Sequence, residues 1–113
     1  MKTSLLVTLL LFAAVLVVSA GASKPSFELT TDINGNPVFS FSNLNPSYDY
    51  DLTISAQNVN EGDHDIITPD ADGKADDSFG ALPADKYEVV LTEIHKNGNL
   101  AHNPAIDEMT DVP

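Results

Sequence analysis

The stretch Tyr48–Ala56 limits the fold more than any other part of the chain. Tyr48, Tyr50, Leu52, Ile54 and Ala56 alternate there with Asp49, Asp51, Thr53 and Ser55. Successive side chains of a strand point to opposite sides, so this order yields one apolar and one polar face. A helix would scatter the same residues around its axis. Strict alternation of this kind marks a half-buried strand in an antiparallel sheet with one solvated side.

The neighbouring segments follow the same period. Ser26–Thr30 alternates with Phe27 and Leu29 on one side, and Val38–Leu44 does so with Phe39 and Phe41. Ile66–Ile67 and Ser78–Leu82 read as short strands, and Tyr87–His95 as a longer one with Tyr87, Val89 and Leu91 inward. In the tail, Ile106 and Met109 are the expected core contributors. Turn signals separate these runs. Asn34-Gly35 and Asn97-Gly98 favour two-residue hairpins, Asn58–Asp65 reads as a polar loop, and Pro69–Asp77 as an acidic turn around Asp72-Gly73. Beyond the first residues no segment has a helical period. About seven short antiparallel strands at regular spacing predict an all-β sandwich.

The first residues have another pattern. Lys2 precedes an apolar run from Leu5 to Val18, broken by Thr8 and followed by Ser19-Ala20-Gly21-Ala22-Ser23. A basic start, a short apolar run and small residues predict a secretory signal peptide over residues 1–20, with cleavage after Ala20 or Ala22. The run is shorter than the ~20 apolar residues of a spanning helix. The expectation is therefore a secreted domain over residues 21–113 with no membrane span after cleavage. A polar C-terminus argues against a lipid-anchor signal, and the only sequon-like site, Asn45-Pro46-Ser47, holds a proline that blocks glycosylation.

Composition narrows what such a domain can do. There is no cysteine, whereas small exported domains usually rely on disulfides. Stability must come from packing, a bound ion or association. The net charge is −12, and loss of Lys2 with the signal makes it −13. That field repels phosphate backbones and anionic lipid and attracts cations and basic proteins, which excludes nucleic acid as a partner.

Two segments share a further pattern. Leu44-Asn45-Pro46-Ser47-Tyr48-Asp49-Tyr50 and Leu82-Pro83-Ala84-Asp85-Lys86-Tyr87 each hold Leu, then Pro, then Tyr four residues after the Pro. The spacing resembles the tyrosine corner of immunoglobulin-like and fibronectin-III-like sandwiches. Leu82–Val89 is also similar to the L-P-A-G-x-Y-x-V phrase of prealbumin-like and Cna-B-like extracellular repeats, with Asp85 in place of Gly. The resemblance implies an immunoglobulin-like β-sandwich used for adhesion, spacing or binding.

Three groups of residues are candidate sites. Asp70, Asp72, Asp76 and Asp77 around Gly73 could supply oxygens to calcium, although Lys74 stands among them and no Glu closes the loop. The same residues also suit a plain turn between strands. If Asn97-Gly98 is a two-residue turn, Glu93 pairs with His102, and Glu93, His95 and His102 share one face as a divalent-metal set. The competing reading is a solvated strand end. Asp49 and Asp51 form an acidic ladder with Thr53 and Ser55, which is also what the wet face of a sheet looks like.

No cysteine nucleophile, G-x-S-x-G elbow or phosphate loop is present, so catalysis is not expected. The leading expectation is a secreted, non-catalytic module for protein binding, adhesion or extracellular matrix or coat structure, with an extracellular protein or its own copies as partner. The alternatives are a calcium-binding or mineral-associated acidic protein, and a protease inhibitor or effector using loops Gln57–His64 or Lys96–Pro104. A pilin-like subunit that retains Leu5–Ala20 as a helix is a further alternative.

Overall fold

The computed structural model describes residues 24–113. The expected signal segment and both cleavage positions lie outside the described residues. Seven strands follow in order: β1 (Ser26–Thr31), β2 (Pro37–Ser42), β3 (Asp49–Ala56), β4 (Gly62–Ile67), β5 (Ala75–Asp77), β6 (Asp85–Ile94) and β7 (Ile106–Val112). They form two antiparallel sheets, β1-β2-β5 and β4-β3-β6-β7. No helix among the described residues is long and apolar enough to cross a membrane.

Alternation sets the register. In β3 the inward Leu52 and Ile54 lie opposite Leu91 and Val89 of β6, and Leu91 lies opposite Ile106 of β7. Across the core, β2 contributes Phe39 and Phe41, both almost without exposure. Tyr50, Leu52, Ile54, Tyr87, Val89 and Leu91 complete the buried centre. Phe27 of β1 packs its ring 6.1 Å from Phe39 and 5.7 Å from Phe41, and Phe79 meets Phe39 edge-on at 6.2 Å. Full burial of such side chains contributes about 1.5–3 kcal/mol each, the main term available without a disulfide.

Several expected boundaries move, each for a physical reason. Residues Gly62–Asp65, expected in a loop, belong to β4, because the backbone pairs with Leu52–Ser55 despite polar side chains. The strand expected at Ser78–Leu82 is instead Ala75–Asp77, whose pairing with Phe39–Phe41 decides its place. Gly80, at a φ of 79°, then turns the chain away. In β7 the second core residue is Val112 rather than Met109. Met109 pairs with Glu88 on the outer side and stays 47% exposed.

The turns also differ from the expected two-residue hairpins. Asp32–Asn36, Asp70–Lys74 and His95–Asn99 adopt one shared form. The first residue's amide donates to the last residue's carbonyl at 2.9, 2.9 and 2.8 Å, and the glycine amide donates back to the first carbonyl at 3.0, 3.0 and 2.7 Å. Each glycine, Gly35, Gly73 and Gly98, is left-handed at φ 83°, 76° and 87°. Three residues thus lie between the closing pair, the loop form that ends in a left-handed residue and a bulge. In the first two turns an aspartate at the opening position fixes the form. Asp32 Oδ1 accepts from Asn34 and Asn36, and Asp70 Oδ1 accepts from Asp72 and Lys74. This side-chain bonding outweighs the two-residue preference of Asn-Gly and Asp-Gly.

The Asp70–Lys74 turn is not a hairpin, because β4 and β5 belong to different sheets. It lies on the crossover and docks on the β2–β3 connection, where Leu44 donates its amide to the Gly73 carbonyl at 2.9 Å. A Cβ on Gly73 would meet the Leu44 carbonyl oxygen at 2.4 Å, whereas one on Gly35 would meet nothing. Gly35→Ala therefore bears the backbone penalty alone, about 1–2 kcal/mol. Gly73→Ala adds a backbone clash and is expected to lose about 3–5 kcal/mol in urea unfolding. Equal losses in the two variants would show that the docking contributes nothing.

Candidate functional site

Antiparallel order places the β2–β3, β4–β5 and β6–β7 connections at one end of the sandwich. The β2–β3 connection is stiffened by its own bonds. The Asn45 side chain accepts from the Ser47 amide at 2.9 Å, the Asn45 carbonyl accepts from the Tyr48 amide at 3.1 Å, and the Tyr50 hydroxyl accepts from the Asn45 amide at 2.8 Å. On the other side, Ile94 bridges to Leu100 and Ala101 donates to the Glu93 carbonyl at 2.9 Å.

Between these two connections lies an open hollow of about 520 Å³, lined by Asn45, Ser47, Tyr48, His95, Lys96 and Asn97. The Tyr48 and His95 rings lie 5.2 Å apart at 34°. Behind them His95 Nε2 is 3.5 Å from Glu93 Oε1, and the Tyr50 hydroxyl donates to Glu93 Oε2 over a long 3.5 Å. Burial raises the Tyr50 hydroxyl above its ordinary range; the Asn45 amide opposes this and the Glu93 charge adds to it. Tyr50 therefore stays a neutral donor. The group offers an aromatic pair, a lysine and amide and hydroxyl groups, an assortment suited to recognition.

The metal set expected nearby is only half assembled. Because the turn holds three residues, His95 closes on Asn99 and Glu93 bonds Ala101 rather than pairing with His102. The chain rejoins the ladder where Ala105 donates to the Leu91 carbonyl, leaving His102, Asn103 and Pro104 outside it. Glu93 and His95 meet, and the exposed His102 lies on the excursion. Pro104 has no amide to continue the pairing.

The expected calcium loop is divided in a similar way. Asp70 holds the turn, Asp72 is exposed at its tip, and Asp76 and Asp77 belong to β5, where neighbours face opposite sides. No group of three or more acidic or histidine side chains among the described residues is placed to hold a metal ion. The ladder residues do share the outer face of β3: Asp51 pairs with His64 and Asp49 accepts from the Thr68 hydroxyl at 2.9 Å.

Two aspartates have roles that the spacing did not reveal. Asp77 faces the seam between β5 and β4, and its Oδ2 is buried with no hydrogen-bond partner. Burial, the adjacent Asp65 carboxyl and the Asp63 charge push it up to about 6. At the other end Asp85 accepts from the Asn58 amide and side chain at 2.8 Å each, from the Val59 amide at 3.0 Å and from the Lys86 amide at 2.7 Å. Desolvation opposes ionisation of Asp85, but these donors outweigh it and hold it at about 2. The residue that departs from the L-P-A-G-x-Y-x-V phrase thus anchors the β3–β4 loop.

Compared with known proteins, the chain matches no family model, no curated protein and no solved structure.

The two aspartates act oppositely on stability. Asp77 has a folded value of about 6 against an ordinary 3.8, so the folded chain holds an extra proton in that window and stability falls as pH rises through it. Asp85 has a folded value of about 2 against 3.8, so its contribution is present above 3.8 and is lost as pH falls toward 2. The melting temperature is expected to rise on acidification from neutrality to about pH 4 and to fall below it. Asp77→Asn should flatten the upper arm and Asp85→Asn the lower. An upper arm unchanged in Asp77→Asn would contradict the assignment.

Proposed function

We propose that the protein is a secreted, non-catalytic immunoglobulin-like module that binds an extracellular protein through the end bearing the β2–β3 and β6–β7 connections. Strand order supports the architectural part of this reading. The fourth strand joins the β3-β6-β7 sheet and leaves β1-β2-β5 opposite, two antiparallel sheets of the kind that such sandwiches pack together. A tyrosine near the start of β6 with its hydroxyl bonded back to Pro83 at 2.8 Å agrees with it.

The observation behind the binding role is the Tyr48–His95 pair, flanked by Lys96 on two connections that are internally bonded. A rigid aromatic group loses little conformational freedom on contact, which is why tyrosine is frequent in recognition loops. Immunoglobulin-like domains present binding loops at one end in this manner. Among the described residues no hydrogen bond joins Ser47 to His95, although both line the hollow.

The test is cross-linking and affinity capture from the native extracellular fluid, comparing unaltered protein with Tyr48→Ala and Lys96→Glu. A partner retained by the unaltered protein and lost about tenfold or more in either variant is expected, in line with aromatic and charged anchors of interfaces. Turnover in a hydrolase screen that a His95 or Glu93 substitution abolishes would overturn the proposal.

A further inference from the structure

Each sheet ends in two strands with one unpaired edge, and three of these four edges are protected. β5 is only three residues long. β4 directs Asp63 and Asp65 inward, opposite the core residues Ile54 and Leu52. β7 bears Asp107, Glu108 and Asp111 in seven residues. Short length and charge are the usual means of blocking edge pairing. β1 has neither: Ser26–Thr31 is rich in β-forming residues and has the single charge of Glu28. Among the described residues, its backbone makes no hydrogen bond beyond the ladder to β2.

Beside this edge the two sheets part. A hollow of about 500 Å³ opens between β1 and β7, with Leu29, Leu82 and Val112 among its apolar lining and Thr31 and Thr110 at its rim. Glu108 also faces this seam, since it lies opposite the inward Val89, and it is exposed. On the outer side of β1, Glu28 is exposed too. Lys86, the lysine nearest in the β7 register, is engaged with Asp111 at 3.1 Å.

We propose that β1 is a docking edge for an extended segment of a protein partner in which apolar residues alternate with Lys or Arg. The segment adds as a fourth strand to the β1-β2-β5 sheet. Its apolar side chains face the hollow and its basic ones lie on the outer face of the sheet, where they meet Glu28. Main-chain bonds supply affinity in this mode and alternate side chains supply specificity. A second copy of the chain fits poorly. Two-fold pairing of β1 with itself turns the two β7 strands toward each other, with Asp107, Glu108 and Asp111 on both, and like charges at an interface are unfavourable. This site lies at the sandwich flank, apart from the loop end, so it goes beyond the function proposed above.

The probe is a short synthetic peptide of alternating valine and lysine, compared with the same composition in blocks and with alternating valine and glutamate. Binding is read by calorimetry, and amide exchange is followed residue by residue. The alternating basic peptide is expected to bind at least about tenfold more tightly than the block peptide, with slowed exchange at alternate amides of Ser26–Thr31. Glu28→Lys should weaken it several-fold at low salt, while Tyr48→Ala should leave it unchanged. Equal binding of the block peptide would reduce the effect to charge alone and overturn the proposal. So would protection confined to β7, dimerisation of the unaltered protein through β1, or no binding.

Discussion

The Tyr87 hydroxyl donates to the Pro83 carbonyl at 2.8 Å across the corner where the chain leaves β5 and enters the opposite sheet. Tyr87 itself is fully buried, so its ring belongs to the core while its hydroxyl fixes the connection. Tyr50 does the converse at the start of β3: it too is fully buried, and its hydroxyl accepts the Asn45 amide. Burying a hydroxyl without a partner is unfavourable by a few kcal/mol, so each ring can remain inside only if its connection follows one path. A third tie joins the Gly73 carbonyl to the Leu44 amide. These bonds fix crossovers between sheets that lack any disulfide.

The loop-end cluster depends on that arrangement. Tyr48 stands between Asn45 and Tyr50, the two ends of one such tie, and its ring meets His95 from β6's far end. Holding the β2–β3 connection therefore holds Tyr48, and the shared glycine turn at His95–Asn99 holds the other half. The carboxylates are divided between uses. Asp32, Asp70 and Asp85 accept backbone amides and shape loops, whereas Asp63, Asp65 and Asp77 crowd an open seam. With so few lysines, an acidic surface of this kind must satisfy most carboxylates with amides or water rather than with ion pairs.

Much of the fold was legible in the chain. The alternation from Tyr48 to Ala56 located β3 and its inward face, although the strand begins at Asp49 and leaves the half-buried Tyr48 in the β2–β3 connection, and the Leu-Pro-Tyr spacing located both buried tyrosines. Where sequence reasoning failed, tertiary pairing decided. β4 forms from Gly-Asp-His-Asp because β3 offers an edge, not because those residues favour strands. Met109 looked like core, yet the parity set by Ile106 and Val112 turned it outward. For the site, one residue of register was enough. A two-residue turn would align Glu93 with His102, and the three-residue form separates them. No local signal grouped Asn45, Ser47 and Tyr48 with His95–Asn97, since the grouping arises from strand order.

The dependence on the crossover hydroxyls is tested most directly by urea unfolding of Tyr87→Phe, which keeps the ring and removes only the bond. A loss of about 1–3 kcal/mol at unchanged denaturant slope is expected, from the bond and the stranded Pro83 carbonyl together. A loss below about 0.5 kcal/mol, within the range of an ordinary surface change, would contradict it.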